Sequence, residues 1–152
     1  STIRRGVNKK DQDPLRGRYY RSSLEIINLG EIELLMLEQQ GYTPDTVLPE
    51  GIQAFLRGNS NISTGGDSID MTDQMGESYK QLAADMARAM GAWACGVDLI
   101  IPDIYQATSK EKPNCTCIEL NFNPAMYLHT YTFAGPGQSI TPKVLRKLFA
   151  EI

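Results

Sequence analysis

The stretch CGVDLIIPDIYQATSKEKPNCTCIELNFN, residues 95–123, contains two short apolar runs that flank a polar connection. Both runs have the length and the β-branched content of strands. The connection between them is rich in Pro, Lys and Asn, which favour an exposed loop. We therefore expect residues 95–101 and 115–120 to form two neighbouring, paired β-strands.

Oxygen-bearing side chains interrupt both predicted strands. Asp98 lies within an apolar run, where a carboxylate is costly unless it is paired, hydrogen-bonded or bound to a cation. In the second strand, alternation places Cys117, Glu119 and Asn121 on one face. If the strands are neighbours, Asp98, Glu119 and Asn121 form the all-oxygen ligand set that Mg²⁺ prefers when phosphates complete its coordination. The alternative is a strand end whose carboxylates face solvent, and the spacing alone does not choose between the two.

Periodicity and capping patterns predict the other elements. These are a helix over 28–40 with an Asn28-x-x-Glu31 capping pattern, a strand over 51–57, a helix over 77–90, and a C-terminal helix capped by Thr141 with Pro142 at its first position. Helices mixed with strands, two of which adjoin in sequence, indicate an α+β fold with a mixed or antiparallel sheet and packed helices.

The segment RGNSNISTGG, residues 57–66, combines a cation with small residues and a glycine pair. Backbone N–H groups beside glycines can approach an anion closely, so this loop suits phosphate or carboxylate binding. The alternative is an ordinary turn-rich connection. The chain contains no Gly-Lys-Ser/Thr and no Gly-x-Gly-x-x-Gly pattern, so neither a P-loop nor a Rossmann site is supported.

Composition indicates one globular domain over residues 1–152. The chain has a net charge of −3, with 41% hydrophobic and 22% charged residues, and this length can bury a core without covalent staples. Seven basic and two acidic residues between Arg4 and Arg21 give that segment a charge of +5. It shows no helix periodicity and few aromatic residues, so we interpret it as a solvated or phosphate-facing surface loop rather than a nucleic-acid site.

The sequence also argues against several other kinds of segment and site. The polar first residues and the lack of a long apolar run predict neither a signal peptide nor a membrane span. Three cysteines, an odd number, suit reduced thiols and a cytoplasmic protein. Cys115-x-Cys117 lacks the second pair of a zinc site, and His129 is the single histidine, so structural zinc and a nucleophilic triad are disfavoured.

Four motifs carry a family resemblance. They are QDPLRG (12–17), LRGNSNISTGGDSIDMTD (56–73), CGVDLI (95–100) and IELNFNPAMYLH (118–129). In this order, over nearly the whole chain, they resemble the ATP-grasp ligase portion of bifunctional glutamate–cysteine ligase/glutathione synthetases. Cyanophycin synthetases carry a similar series. The resemblance implies the C-terminal part of an ATP-grasp fold, without the upstream subdomain that carries the ATP lid.

The resemblance also implies an activity and its ligands. Family members are ADP-forming carbon–nitrogen ligases: ATP phosphorylates a carboxylate, and an amine then attacks the acyl phosphate. The implied substrates are γ-glutamylcysteine, glycine and ATP, with two Mg²⁺ ions that Mn²⁺ could replace. The other implied partner is the remainder of the parent polypeptide, with neither nucleic acid nor membrane. A cyanophycin-type ligase and a non-catalytic nucleotide-binding fragment remain alternatives, and we expect the isolated chain to be inactive.

Roles for individual residues follow from the resemblance. In the family, the Glu-x-Asn pair and an Asp on the preceding strand hold magnesium, which implies Asp98, Glu119 and Asn121. We assign stabilisation of the tetrahedral oxyanion to Arg57, because a cation is needed there. Asn61 would orient the substrate. Backbone N–H groups of the loop would contact the acyl phosphate and the acceptor, and the residues that supply them are Ser63, Thr64, Gly65 and Gly66.

Overall fold

A computed structural model describes residues 1–17 and 22–150, which form two compact units. One comprises Ser1–Asp70 and Tyr127–Gln138, and the other Met71–Met126 and Ser139–Ile152. Arg18 and Arg21 of the basic segment lie outside the described residues. The expectation of a single domain stays a prediction. Within the described residues, no helix has the length and apolar character needed to cross a membrane.

The described elements are five helices, one 3-10 turn and two strands. The helices are α1 (Ile3–Lys10), α2 (Glu31–Gln39), α3 (Glu77–Ala89), α4 (Tyr127–Thr130) and α5 (Thr141–Phe149); the turn is Ile62–Thr64, and the strands are β1 (Gly96–Ile100) and β2 (Thr116–Asn121). An α+β composition is thus confirmed, with an antiparallel sheet.

The two strands form the hairpin that the sequence predicts. β1 and β2 are antiparallel, with Asp98 opposite Glu119 and Gly96 opposite Asn121. A β-bulge follows Asp98, because the next pair along the ladder joins Leu99 to Cys117. The intervening Ile118 therefore has no partner in the register.

Helix α3 matches its prediction and supports the hairpin connection. Its Tyr79 is 2% exposed, and the hydroxyl donates to the carbonyl of Gln106 at 2.7 Å. The same hydroxyl accepts a hydrogen bond from the side-chain amide of Asn114, also at 2.7 Å. One buried phenol thus ties two points of the loop between the strands, Gln106 and Asn114, to α3.

Helix α1 was not predicted, although the segment contains a short helical pattern. Ile3 and Val7 are spaced one turn apart, and Val7 is buried. The Thr2 side chain caps the helix by accepting from the Arg5 amide, and Lys9 and Lys10 in the last turn suit the helix dipole. The interpretation of this basic segment as a loop is therefore wrong over residues 3–10.

Helix α2 begins later than predicted. Its N-cap is Gly30, whose amide donates to the Glu33 carboxylate at 3.0 Å. The Asn28-x-x-Glu31 pattern is thus not the capping box in the structure. The helix does end before Gly41, which has a φ of +76° and so takes the left-handed conformation common after helices.

The strand predicted over residues 51–57 is absent from the described structure. The alternation of apolar residues there is real, but Ile52 and Phe55 are exposed. The side chain of Gln40 pairs with this segment instead: its amide oxygen accepts from Phe55 N at 2.9 Å and its nitrogen donates to Phe55 O at 2.7 Å. The backbone of Phe55 therefore finds a side-chain partner where a sheet would supply a neighbouring strand.

The C-terminal helix is present with one change at its start. Thr141 is the first helical residue of α5 and does not cap it, since Ile140 holds the N-cap position. Pro142 lies in the first turn as predicted.

Candidate functional site

Two sets of predicted site residues lie in different units. Asp98, Glu119 and Asn121 belong to the unit that contains the hairpin, whereas Arg57 and the loop 61–66 belong to the other.

The hairpin brings Asp98 and Glu119 face to face. Directly opposed residues in an antiparallel pair project to the same face with Cβ atoms about 5 Å apart, and Asn121 lies on that face two residues further along β2. Both carboxylates and the Asn121 side chain are exposed. The desolvation cost that the sequence argument attached to Asp98 therefore does not arise in this structure.

The bulge changes the membership of that face. Sequence alternation placed Cys117 with Glu119, but Cys117 is opposite Leu99, and both are half-buried. Ile118, expected on the other face, is 63% exposed. The bulge thus separates the thiol from the two carboxylates, in keeping with the role of bulges in re-aiming side chains.

The paired acids Asp98 and Glu119 form a candidate cation site. Like charges directly opposite each other on neighbouring strands destabilise the sheet, and a bound cation would offset that repulsion. Asn121 Oδ1 accepts from the Asn123 amide at 2.8 Å, and a carbonyl oxygen retains a second lone pair. Within the described residues, no group of three His, Cys, Asp or Glu side chains could hold a metal ion. A cation here would therefore draw on the amide of Asn121 and on water or phosphate oxygens, as Mg²⁺ commonly does.

The first unit contains a cavity of about 540 Å³. Four predicted residues line it, namely Arg57, Thr64, Gly65 and Gly66, whereas Asn61 and Ser63 are not among its lining residues. Lys10 and Asp67, neither of which was a predicted site residue, also line it, together with the polar residues Ser1, Thr2 and Asn59. Its remaining wall is largely apolar, with side chains from α1 and from the segment 54–56.

The N–H groups of the loop are engaged within the loop itself. The backbone carbonyl of Asn61 accepts from the amides of Thr64 and Gly66, at 3.1 and 2.9 Å, and the carbonyl of Ile62 accepts from Gly65 at 3.0 Å. Asn61 Oδ1 accepts from both the amide and the hydroxyl of Ser63, at 3.0 Å each. This corrects the expectation that these N–H groups are available to an anion. Asn61 acts first as the acceptor that shapes the loop.

Both loop glycines are required by close packing. A Cβ on Gly66 would lie 2.8 Å from the carbonyl oxygen of Asn61, and one on Gly65 would lie 2.9 Å from the side chain of Ile27. Gly65 also has a φ of +91°, which side chains other than glycine rarely adopt. The glycine pair thus closes the loop onto its own backbone.

Arg57 forms an ion pair with Glu33, an acid that was not among the predicted site residues. Its Nε donates to Glu33, and the Glu33 side chain is only 4% exposed. Burial raises the pKa of Glu33, but hydrogen bonds from its own amide, from Arg57 and from Gly30 outweigh burial and bring that pKa below 4.5. Within the described residues, Glu33 is the acid that forms an ion pair with Arg57, through Nε of the guanidinium.

A second cation was also missed because it lies in the basic segment. Arg16 is 1% exposed, which contradicts the solvated-surface interpretation at this position. Its guanidinium donates to the carbonyls of Glu25 at 2.7 Å and Gly65 at 3.1 Å, and to Asp67. The position of Arg16 in QDPLRG was the available signal, because that motif belongs to the family resemblance although the basic segment around it suggests a polar surface.

Comparison with known proteins gives one consistent result. No family model matches the chain. It is 69% identical over 152 residues to the glutathione biosynthesis bifunctional protein GshAB of Streptococcus mutans, which covers 100% of this chain and 20% of that protein. It is 51% identical over 146 residues to GshAB of Pasteurella multocida, covering 96% of this chain and 19% of that protein.

A solved structure agrees with these relatives. The crystal structure of a bifunctional glutathione synthetase from Pasteurella multocida superposes with a TM-score of 0.86 at 49% identity, covering 100% of this chain and 21% of that chain. The chain thus spans about one-fifth of the length of the relatives it matches. Over its whole length it is similar to a segment of the bifunctional glutathione biosynthesis proteins, and the resemblance inferred from its four motifs is confirmed.

Proposed function

We propose that this chain is part of an ADP-forming ATP-grasp ligase that joins γ-glutamylcysteine to glycine through an acyl phosphate. Relatives named as glutathione biosynthesis proteins support the pathway. The ligase step itself, its substrates and its dependence on ATP and Mg²⁺ are our proposal. We also propose that the enzyme uses a second Mg²⁺ ion and that Mn²⁺ can replace Mg²⁺. We further propose that the protein is cytoplasmic and that the partner of this chain is the remainder of the parent polypeptide.

The opposed carboxylates of Asp98 and Glu119 carry this proposal. Two exposed acids held face to face on a hairpin gain from a divalent cation, and Asn121 adds a third oxygen on the same face. Asp98, Glu119 and Asn121 would hold a Mg²⁺ ion there, and its positive charge would offset the charge that builds during phosphoryl transfer. The chain's own contribution is to fix the spacing of these three side chains through the register of β1 and β2.

Arg57 supplies the second element of the proposal. Glu33 fixes the Nε edge of the guanidinium, and Arg57 is among the residues that line the cavity. A cation held in this way is preorganised to stabilise an anionic intermediate. We propose that side chains, rather than the internally bonded N–H groups of residues 63–66, bind the anion in this cavity.

Replacement of Glu119 in the full-length polypeptide tests the metal assignment. We expect Glu119→Gln to abolish ADP release with γ-glutamylcysteine and glycine while the protein stays folded, because one of the opposed charges is lost. Glu111→Gln is the matched control, since Glu111 lies exposed in the connection between the strands. Retained turnover with an unchanged Mg²⁺ dependence would contradict the assignment. Turnover with an Asp–Arg polymer instead of γ-glutamylcysteine would move the chain to the cyanophycin-type ligases.

A further inference from the structure

We propose that Arg16 is a positioning residue for the cavity of the first unit: through Asp67 it sets where the Lys10 ammonium lies. This inference rests on the proposed function for its consequence in substrate binding. Its structural part stands on the contacts of Arg16, Asp67 and Lys10 alone.

The Arg16 side chain is completely buried, with 0% of it exposed. One terminal nitrogen donates to two carbonyls, of Glu25 and Gly65, and the other donates to Asp67 Oδ1. A planar guanidinium can reach three acceptors in fixed directions, which a lysine ammonium on a flexible stem does not reproduce. Arg16 is not among the residues that line the cavity, so any effect on a ligand passes through the groups that it holds.

Asp67 links the buried Arg16 to Lys10. Its other carboxylate oxygen accepts from the Lys10 ammonium, and the Asp67 side chain is 22% exposed. Lys10 lies on the cavity wall together with Asp67 and Gly65, and its Nζ is 5.5 Å from the centroid of the Phe133 ring. A carboxylate shared between two cations thus ties a 45% exposed lysine to a buried arginine.

The charge balance favours an anionic ligand. Two sets of ion pairs lie in and behind the cavity wall: Lys10 and Arg16 share Asp67, and Arg57 pairs with Glu33. Cations exceed carboxylates by one, and Arg16 is buried while Lys10 and Arg57 reach the cavity. The carboxylate or phosphate of a substrate would complete this balance, and its position would depend on where Asp67 holds Lys10.

Competitive acetylation of the full-length polypeptide tests the structural part directly. Lys9 is the internal control, because it is the neighbouring residue on α1, is exposed, and does not line the cavity. With limiting acetic anhydride and mass spectrometry, we expect Lys10 to react more slowly than Lys9, since Asp67 holds its ammonium. In Asp67→Asn and in Arg16→Lys the ratio of the two rates should rise towards unity.

The functional consequence is read from steady-state kinetics of ADP release. We expect Lys10→Met and Arg16→Lys each to raise the KM for γ-glutamylcysteine about tenfold with little change in kcat. The double variant should be no worse than the single ones, because both remove the same placement of Lys10. Lys9→Met should leave both parameters unchanged.

Three results overturn the inference. The first is an unchanged ratio of the Lys10 and Lys9 acetylation rates in folded Arg16→Lys. The second is a double variant whose KM effects multiply. The third, used if Arg16→Lys fails to fold, is an unchanged ratio of acetylation rates in Asp67→Asn. Lack of turnover in the wild type would refute the proposed function instead. The acetylation ratios would still decide whether Arg16 positions Lys10.

Discussion

Replacing Glu33 by glutamine removes the charge of a buried ion pair while keeping the shape of the side chain. The Glu33 side chain is 4% exposed and that of Arg57 is 29% exposed, so Arg57 can recover part of its hydration when its partner is lost. A hydrogen bond to a charged group contributes about 1.5–3 kcal/mol, and breaking a fully buried pair costs about 3–5 kcal/mol. Because glutamine can still accept from the Gly30 amide, we expect Glu33→Gln to lower the free energy of unfolding by about 2 kcal/mol near neutral pH.

The pH dependence of this loss has a definite sign. The pKa of Glu33 in the folded chain is lower than its ordinary value of 4.5. Its ionised form therefore stabilises the fold at pH values above 4.5, and this contribution disappears as the pH falls through the lower, folded-state pKa. The stability difference between wild type and Glu33→Gln should thus narrow on the acid side.

Urea unfolding followed by far-UV circular dichroism measures both effects. Glu31→Gln is the matched control, since Glu31 lies in the first turn of the same helix but is exposed. Like Glu33, Glu31 interacts favourably with the helix dipole, which contributes about 0.3–1 kcal/mol, but among the described residues Glu31 has no buried ion pair to lose. Equal losses in the two variants near neutral pH, or a difference that widens in acid, would refute the reasoning.

Three further predictions concern other parts of the chain. Gly66→Ala should destabilise the chain by about 1–3 kcal/mol, because the new Cβ would press on the loop backbone, whereas Gly58→Ala, with nothing within 4 Å, should be close to neutral in the same unfolding assay. Tyr79→Phe should lower stability by about 0.5–1.5 kcal/mol, because Asn114 and the carbonyl of Gln106 each lose their hydrogen bond to the Tyr79 hydroxyl; an unchanged urea midpoint would contradict this. Arg57→Ala in the full-length polypeptide should lower kcat for ADP release more than ATP affinity, and a pure loss of affinity would place Arg57 in ground-state binding instead.

The elements predicted well are those in which local pattern and tertiary surroundings agree. Helix α3 has its apolar residues at helical spacing and Gly91 at its end, and it runs over Glu77–Ala89. The hairpin was predictable because two apolar runs flank a connection that cannot be buried. Pairing of those strands then places Asp98 opposite Glu119, as expected, although the roles of both residues stay predictions.

The elements predicted poorly depend on partners that are distant in sequence. Alternation over 51–57 indicates an extended chain, but only a neighbouring strand makes it a sheet, and the side chain of Gln40 occupies that position. The burial of Arg16 depends on Asp67, which is 51 residues away. Nothing local distinguishes this arginine from its solvated neighbours. The bulge after Asp98 is likewise invisible to strict alternation, so the face of Cys117 was assigned incorrectly.

The glycine-rich loop shows how a motif can be typical of a site for reasons other than ligand contact. From the sequence, Gly65 and Gly66 suggested open N–H groups for an anion. In the structure, those N–H groups are bonded to the loop's own carbonyls, and the missing side chains let the loop close against Asn61 and Ile27. The closed loop then presents the Gly65 carbonyl to buried Arg16. Small residues therefore shape the wall, and the cations at its surface supply the charge that an anion would meet.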